Sequence, residues 1–226
     1  MSDESLPPDT RSRLPGLDPA ATPLLGIGLG LTGLVLGIRP RLAAIPLALT
    51  AAAALLLRDP DRNTQPVIGA LFAPADGIVT SIEDTYEHRF LHTDATRVTI
   101  TCSVIDVAVQ RSPVSGRIRY LAELTAEQPL GWASREADID HGAALLIGIN
   151  TGWAPVLLAI RTNSLIRQLA CRIEPGDIVE AGERLTTARF GAQVDLLIPC
   201  DLASGLPQIG EHVQAGITRM AQVVVR

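Results

Sequence analysis

The chain has 226 residues, a net charge of −5, 47% hydrophobic residues and only 3% aromatic residues. This length allows one globular domain of ordinary size together with a membrane-associated segment. The acidic balance argues against a nucleic-acid partner, because nucleic-acid-binding domains carry a basic surface. The three cysteines have no C-x-x-C spacing, which predicts neither a disulfide framework nor a zinc site and favours a reducing, cytoplasmic environment.

The N-terminal quarter predicts a disordered tail followed by a helical hairpin. Residues 1–21 are rich in Pro, Asp, Ser and Arg, a composition typical of disorder. Two uninterrupted apolar runs follow at 23–38 and 42–57, each about 24 Å long as a helix against about 30 Å of hydrocarbon core. A membrane hairpin over 22–58 therefore either spans the bilayer with its turn at the far interface or lies in one leaflet as a shallow wedge.

Charges and small residues add two expectations about this hairpin. Arginines flank its ends, while Arg39 and Arg41 lie in its turn and are long enough to snorkel to an interface. The bias places both ends, and the β-rich domain that follows, on the cytoplasmic side of the cell membrane. Glycines along the first run are expected to allow close contact with the alanine-rich second run; they are Gly26, Gly30, Gly33 and Gly37.

From residue 66 to 226 the sequence predicts a mainly β domain of α+β type. Short β-type runs are broken by Gly and Pro, and they lie at Gly77–Val79, Val98–Ile100, Val107–Val109, Val194–Ile198 and Val223–Val225. The stretch Ser164–Arg172 has an apolar pattern that fits either a helix or a buried strand.

Two internal echoes predict repeated hairpins. Pro74–Val79 (PADGIV) resembles Pro113–Ile118 (PVSGRI), and Gly176–Gly182 (GDIVEAG) resembles Gly210–Gly216 (GEHVQAG). Paired strands with glycine at their turns suit a small β-barrel or sandwich.

The residue types limit the cofactor chemistry open to the chain. All 19 basic residues are arginine, so no lysine exists to form a Schiff base with a pyridoxal cofactor or a carbonyl substrate. His88 and His92 have a spacing that binds metal on a helix. Their surroundings predict a strand or loop instead, so we expect solvated histidines and no metal site. Trp132 and Trp153 suit either a membrane interface or the core.

Five motifs in one order resemble those of the phosphatidylserine decarboxylase family in its short, compact form. They are R-D-P-D-R at 58–62, P-A-D-G at 74–77, D-V-A-V-Q-R-S-P-V-S-G at 106–116, A-C-R-I at 170–173 and R-F-G-A-Q-V-D at 189–195. The family has D-V-H-V-N and R-F-G-S-R in the third and fifth motifs. The resemblance runs from about residue 23 to the C-terminus, and it implies a membrane protein of phosphatidylethanolamine synthesis.

The same resemblance indicates which positions correspond to the family's catalytic and self-cleavage residues. In the family a glycine–serine bond cleaves itself, and the serine becomes a pyruvoyl group that serves as the electron sink for decarboxylation. The family's aspartate, base histidine and serine fall on Asp76, Ala108 and Ala192, with Gly191–Ala192 as the cleavage-site frame. Alanine cannot attack the preceding carbonyl, so we expect neither self-cleavage nor a pyruvoyl cofactor. Without its partners, Asp76 is expected to be a turn residue before Gly77 that hydrogen-bonds the backbone.

Three functions remain open on this sequence. The first, which we favour, is a phospholipid-binding or regulatory homologue at the membrane, acting beside an active paralogue or as a homo-oligomer. The second is an active decarboxylase with a different nucleophile or a bound cofactor; Thr186, Thr187 and Cys200 have suitable side chains but lie five to eight positions from Ala192. The third is a membrane-anchored barrel-sandwich adaptor, which the absence of lysine at any hairpin tip and of long heptads disfavours.

Overall fold

The computed structural model of the chain describes residues 16–18, 21–65, 67–125, 128, 130–132, 141–163, 170–171, 173–188 and 191–223. The chain divides into two compact units, residues 1–61 and 62–226. We call the first the helical unit and the second the β-rich unit.

The helical unit contains the two apolar helices that the sequence predicts. Helix α1 spans Ala21–Ile38 and helix α2 spans Ala44–Leu56, with a 3-10 turn at Pro40–Leu42 between them. Helix α1 has 18 residues, which corresponds to about 27 Å. By length and composition it is apolar enough to cross a membrane.

The predicted glycine contact between the helices is wrong in its residues. A Cβ at Gly28 would lie 2.2 Å from the Thr50 hydroxyl oxygen, so Gly28 is the glycine of α1 that allows close contact with α2. The Thr50 hydroxyl donates to the Pro46 carbonyl at 2.7 Å and so needs no other partner there. The four glycines named above have open space where a Cβ would be, because they lie on other faces of α1.

The outer surfaces of both helices carry large aliphatic side chains that are exposed. Their exposed fractions run from 47% to 71%. The set comprises Leu24, Ile27, Leu29, Leu31, Leu34, Leu36, Ile38, Leu42, Ile45, Leu47, Leu49 and Leu55. Contiguous apolar surface of this kind marks a site of membrane or protein interaction.

The β-rich unit is an antiparallel arrangement of mostly short strands. They are β1 Ala70–Phe72, β2 Gly77–Glu87, β3 Thr93–Cys102, β4 Val109–Arg111, β5 Gly116–Thr125, β6 His141–Asn150, β7 Pro155–Asn163, β8 Ala170–Cys171, β9 Ile178–Val179, β10 Arg184–Thr187, β11 Ala192–Pro199, β12 His212–Val213 and β13 Arg219–Gln222. The main sheet has the order β12-β2-β3-β11-β7-β6-β5-β9, while β4-β10-β8 and β1-β13 form smaller sheets. A mainly β fold preceded by apolar helix is therefore confirmed.

Apolar residues cover both faces of the central strands. The main core includes Ile100, Leu158 and Leu196, all fully buried. Because successive side chains of a strand point to opposite faces, Leu157 and Leu197 lie on the other face in a second core with Trp132. Trp132 is thus a core residue rather than an interface residue.

One carboxylate is buried within this second layer. Asp195 has no exposed surface, and its oxygens accept hydrogen bonds from Arg161 Nη2 at 2.9 Å, Thr99 Oγ1 at 2.8 Å and Trp132 Nε1 at 3.4 Å. The ion pair with Arg161 neutralises a charge that would otherwise be costly to bury.

The sequence echoes correspond to a structural repeat. Half A comprises β2, β3, β11 and β12; half B comprises β5, β6, β7 and β9, and the two meet where β11 pairs with β7. In half A the Val79 N–H donates to the Glu211 carbonyl at 3.0 Å, and in half B the Ile118 N–H donates to the Asp177 carbonyl at 2.9 Å. The G-x-x-V-x-x-G segments therefore do not form separate hairpins. Each supplies a two-residue strand that pairs with the strand following the P-x-x-G turn.

Both halves need glycine at the same place. A Cβ at Gly77 would lie 2.4 Å from the Thr101 carbonyl oxygen, and a Cβ at Gly116 would lie 2.7 Å from that of Asn150. Each glycine lets its strand begin against the backbone of the neighbouring strand.

Three segments predicted from sequence, at 107–109, 164–172 and 223–225, differ from the prediction or lie partly outside the described residues. The run at Val107–Val109 contributes only Val109 to a strand, and the Ala108 carbonyl, just before that strand, accepts a hydrogen bond from the Ala188 N–H. Residues 164–169 and 172 of the ambiguous stretch lie outside the described residues, as do 224 and 225.

Candidate functional site

The cleavage-site frame lies at the start of a central strand. Ala192 is the first residue of β11, opposite Cys102 on β3 and Thr162 on β7. Its methyl group belongs to the main core, with 7% of the residue exposed. Gly191 has a φ of +87°, a conformation that favours glycine. Arg189 and Phe190 lie outside the described residues.

Asp76 lies in the turn that leads into β2, at the same end of the sheet as Ala192. Its negative charge reaches Cys102, whose thiol pKa it helps to raise. The Asp76 carboxylate accepts from Arg62 through both oxygens, at 2.5 Å from Nη1 and 2.6 Å from Nη2. Its Oδ1 also accepts from the Ala215 N–H at 2.8 Å. The expected backbone hydrogen bond thus exists, but its donor is far away in sequence rather than local.

Ala108 is hydrogen-bonded to the segment that precedes the cleavage-site frame. Its carbonyl accepts from the Ala188 N–H at 2.8 Å, and the buried Gln110 side chain accepts from the same N–H at 2.9 Å through Oε1. The hydrogen bond fixes the segment of Ala108 to a residue four positions before Ala192. A methyl group there offers no proton acceptor.

Cys102 is the nucleophile-type side chain next to the frame. Burial raises its pKa from 9.0 to about 12, with smaller contributions in the same direction from the charges of Asp106 and Asp76. The thiol is therefore protonated at neutral pH, whereas the thiolate is the reactive form. Thr162, on the other side of Ala192, donates its hydroxyl to the Ala143 carbonyl at 3.4 Å.

The three substitute nucleophiles considered from sequence lie on other elements than the frame. Thr186 and Thr187 are buried in β10, paired with β4 and β8. Cys200 follows the far end of β11, about 26 Å from its start at the usual rise per strand residue. There it interacts with Thr96 and Asp84. The structure does not bring Cys200 to the frame.

The histidines and acidic residues give no metal site within the described part of the chain, where no group of three His, Cys, Asp or Glu side chains is arranged to hold an ion. His88, in the turn between β2 and β3, lies against the ring of Tyr86 with the centroids 4.6 Å apart and the ring planes tilted by 51°. His92 follows in the same connection with a φ of 53°.

Sequence reasoning missed three residues of this site: Arg62, Cys102 and Thr162. In the sequence Arg62 belongs to the R-D-P-D-R motif, and nothing in its spacing connects it to a carboxylate 14 residues later. Cys102 and Thr162 become neighbours of Ala192 only through strand register. Only the knowledge that β3 and β7 both pair with the strand that begins at Ala192 would have indicated these two neighbours.

Comparisons with known proteins identify the family. The phosphatidylserine decarboxylase family model matches residues 49–221, and the chain therefore belongs to the phosphatidylserine decarboxylase family, which is linked to phospholipid metabolism. The resemblance seen in the motifs is thereby confirmed.

Curated relatives cover most of the chain. A protein of Desulfotalea psychrophila is 29% identical over 81% of this chain and 85% of its own length. One of Chlorobium luteolum is 29% identical over 89% and 94%, and one of Pelodictyon phaeoclathratiforme is 30% identical over 82% and 88%. All three are named phosphatidylserine decarboxylase proenzyme. No solved structure matches the chain.

The residues at the frame do not fit the family's pyruvoyl group. That group takes its atoms from a serine, and position 192 is an alanine whose methyl group packs in the main core. No reaction step through a pyruvoyl group follows from this site.

Proposed function

We propose that this chain is a membrane-attached member of the phosphatidylserine decarboxylase family that stays uncut and binds phospholipid without decarboxylating it. The observation that carries the proposal is Ala192: the glycine at 191 and the rest of the R-F-G-x-x-V-D frame are present, while position 192, the first residue of β11, carries only a methyl group. The relatives are named proenzymes, and processing of this kind requires a nucleophile at the frame.

The chemistry around Ala192 supports the loss of self-cleavage. The neighbouring Cys102 thiol is held protonated by burial. Side chains directly opposite each other on paired strands lie about 5 Å apart at Cβ, whereas attack requires about 3 Å and alignment with the carbonyl. Ala108 supplies no base, and the chain has no lysine for an alternative imine.

The helical unit supports attachment to a membrane. Its aliphatic side chains are exposed along both helices, and α1 is long enough to reach most of the way across a hydrocarbon core of about 30 Å. The arginine bias supports a β-rich unit on the cytoplasmic side of the cell membrane. A serine-containing paralogue or a second copy is the protein partner we expect there.

Vesicle experiments test membrane attachment. We expect the purified full-length chain to co-sediment with phosphatidylcholine vesicles that contain phosphatidylserine. A Leu34→Glu/Leu49→Glu variant should stay in the supernatant, because these side chains are 65% and 68% exposed on the helices and charges are costly in hydrocarbon. Ile178→Glu is the matched control, since Ile178 is 70% exposed in the β-rich unit. Equal binding by both variants would contradict attachment through the helices.

The same vesicles test the absence of turnover. We expect no carbon dioxide from phosphatidylserine labelled in its carboxyl group, at any enzyme concentration that binds the vesicles. Release of labelled carbon dioxide that disappears in a Cys102→Ala variant would overturn the proposal and identify Cys102 as a substitute nucleophile. Release that persists in that variant would point to a bound cofactor.

A further inference from the structure

The repeat offers an internal control for the role of Asp76. In half A the Asp76 carboxylate accepts from the Ala215 N–H at 2.8 Å; in half B the Ser115 hydroxyl accepts from the Ala181 N–H at 2.9 Å. These residues occupy the same place in the two P-x-x-G turns. A neutral serine therefore suffices to make this turn and to hold the neighbouring segment.

Half A contains more than the turn requires. Its acceptor is charged, and Arg62 pairs with it through two parallel N–H···O bonds at 2.5 Å and 2.6 Å. Arg62 also donates to the Ala215 carbonyl at 2.7 Å. The side chains of Arg62 and Asp76 are only 7% and 13% exposed. Burying an ion pair is seldom a gain over neutral groups, so stability of the turn does not explain it.

The extra charge lies beside the frame. Asp76 immediately precedes Gly77, where a Cβ would lie 2.4 Å from the Thr101 carbonyl oxygen, and the residue after Thr101, Cys102, lies opposite Ala192. The guanidinium fork fixes the plane of the carboxylate, because two parallel hydrogen bonds leave it no free rotation. Thr64, two residues after Arg62, anchors the same segment by donating to the Gly216 carbonyl at 2.7 Å.

We infer that Arg62 is a positioning residue of the self-processing site: it orients the Asp76 carboxylate towards the frame at 191–192, and the pair is not needed for the fold. The inference rests on the proposed function, in that the frame is regarded as a site that lost its nucleophile and base. It assigns a role to the arginine that ends the R-D-P-D-R motif.

Thermal unfolding tests the first part of the inference. An Arg62→Met/Asp76→Ser variant gives half A the neutral arrangement of half B. We expect it to unfold within about 3 °C of the parent chain, a shift that corresponds to a small change in stability. Asp76→Ser alone should unfold at a clearly lower temperature, because it leaves a buried guanidinium without its carboxylate. A double variant as unstable as Asp76→Ser would overturn the inference, since the pair would then be structural.

Self-processing in a repaired chain tests the second part. The Ala108→His/Ala192→Ser variant restores the lost side chains, and we expect it to split at the 191–192 bond. Adding Arg62→Met should slow the splitting at least tenfold, and Arg62→Lys should recover part of the rate by keeping the charge. Equal splitting rates with Met and with Arg at position 62 would contradict the role. Splitting of the unmodified chain would instead contradict the proposed function, so the two failures are distinguishable.

Discussion

The two halves of the β-rich unit have the same backbone design but different chemistry. Both begin a strand at a P-x-x-G turn, and both pair it with a two-residue strand from a G-x-x-V-x-x-G segment. Half A has Asp76 in its turn where half B has Ser115. Counting along the paired strands, Asp195 of half A corresponds to Leu157 of half B.

At the frame the two halves have the same residue type. Cys102 follows Thr101 in half A and lies opposite Ala192; Thr151 follows Asn150 in half B and accepts from the Ala154 N–H at 2.8 Å. Ala192 at the frame and its counterpart in half B, Ala154, are both buried alanines. The comparison teaches that one backbone design carries a charged acceptor in the turn of half A and a neutral one in the turn of half B.

The largest expected effect comes from the buried charge of half A. Asp195→Ala should lower the free energy of unfolding by about 3–5 kcal/mol, because it removes the buried carboxylate to which Arg161, Thr99 and Trp132 donate. Urea unfolding measures the change. Leu157→Ala is the control in half B and should cost about 2–5 kcal/mol through a cavity instead. An Asp195→Ala chain as stable as the parent would show that water reaches this layer.

The two turn glycines should behave alike. Gly77→Ala would place a Cβ 2.4 Å from the Thr101 carbonyl oxygen, and Gly116→Ala would place one 2.7 Å from the Asn150 carbonyl oxygen. We therefore expect each variant to lose about 1–3 kcal/mol of stability. Chemical denaturation of the two variants side by side gives the comparison. A large loss at one glycine and none at the other would break the structural equivalence of the halves.

Cys102 should make stability depend on alkaline pH. The thiol deprotonates near pH 9.0 in the unfolded chain and near 12 in the folded chain, so the unfolded state is increasingly favoured as pH rises through this window. We expect a loss of about 1 kcal/mol per pH unit above 9, measured by urea unfolding at several pH values. The slope should decrease in Cys102→Ala and persist in the control Cys171→Ala. Identical slopes in all three chains would show that Cys102 is not buried as described.

The smallest effect is expected at the neutral turn. Ser115→Ala removes one side-chain acceptor for the Ala181 N–H, so the free energy of unfolding should fall by about 1 kcal/mol. Thermal unfolding checks this value against the larger loss for Asp76→Ser. Equal losses at Ser115 and Asp76 would mean that the charge of half A adds nothing beyond the turn.

The parts of the molecule that follow local rules were predictable from sequence. Alternating apolar residues and Gly-Pro breaks indicate strands, and uninterrupted apolar runs indicate helices. The echo between 74–79 and 113–118 even indicated the repeat. Motif order pointed to the family, which the matched residues 49–221 then confirmed.

The geometry of the site was not predictable, because it depends on register between distant strands. The sequence pattern predicts other glycines at the helix contact than Gly28, because the face that Gly28 presents to Thr50 is set by packing rather than by spacing. Likewise the partner of Asp76 is an arginine from the segment before the domain's first strand. No pattern in the sequence connects these positions.

Intact mass spectrometry of the purified full-length chain tests the central claim most directly. We expect a single uncut species of 23.9 kDa that does not react with carbonyl reagents. Two fragments divided between Gly191 and Ala192, or a species carrying an N-terminal carbonyl group, would contradict the account.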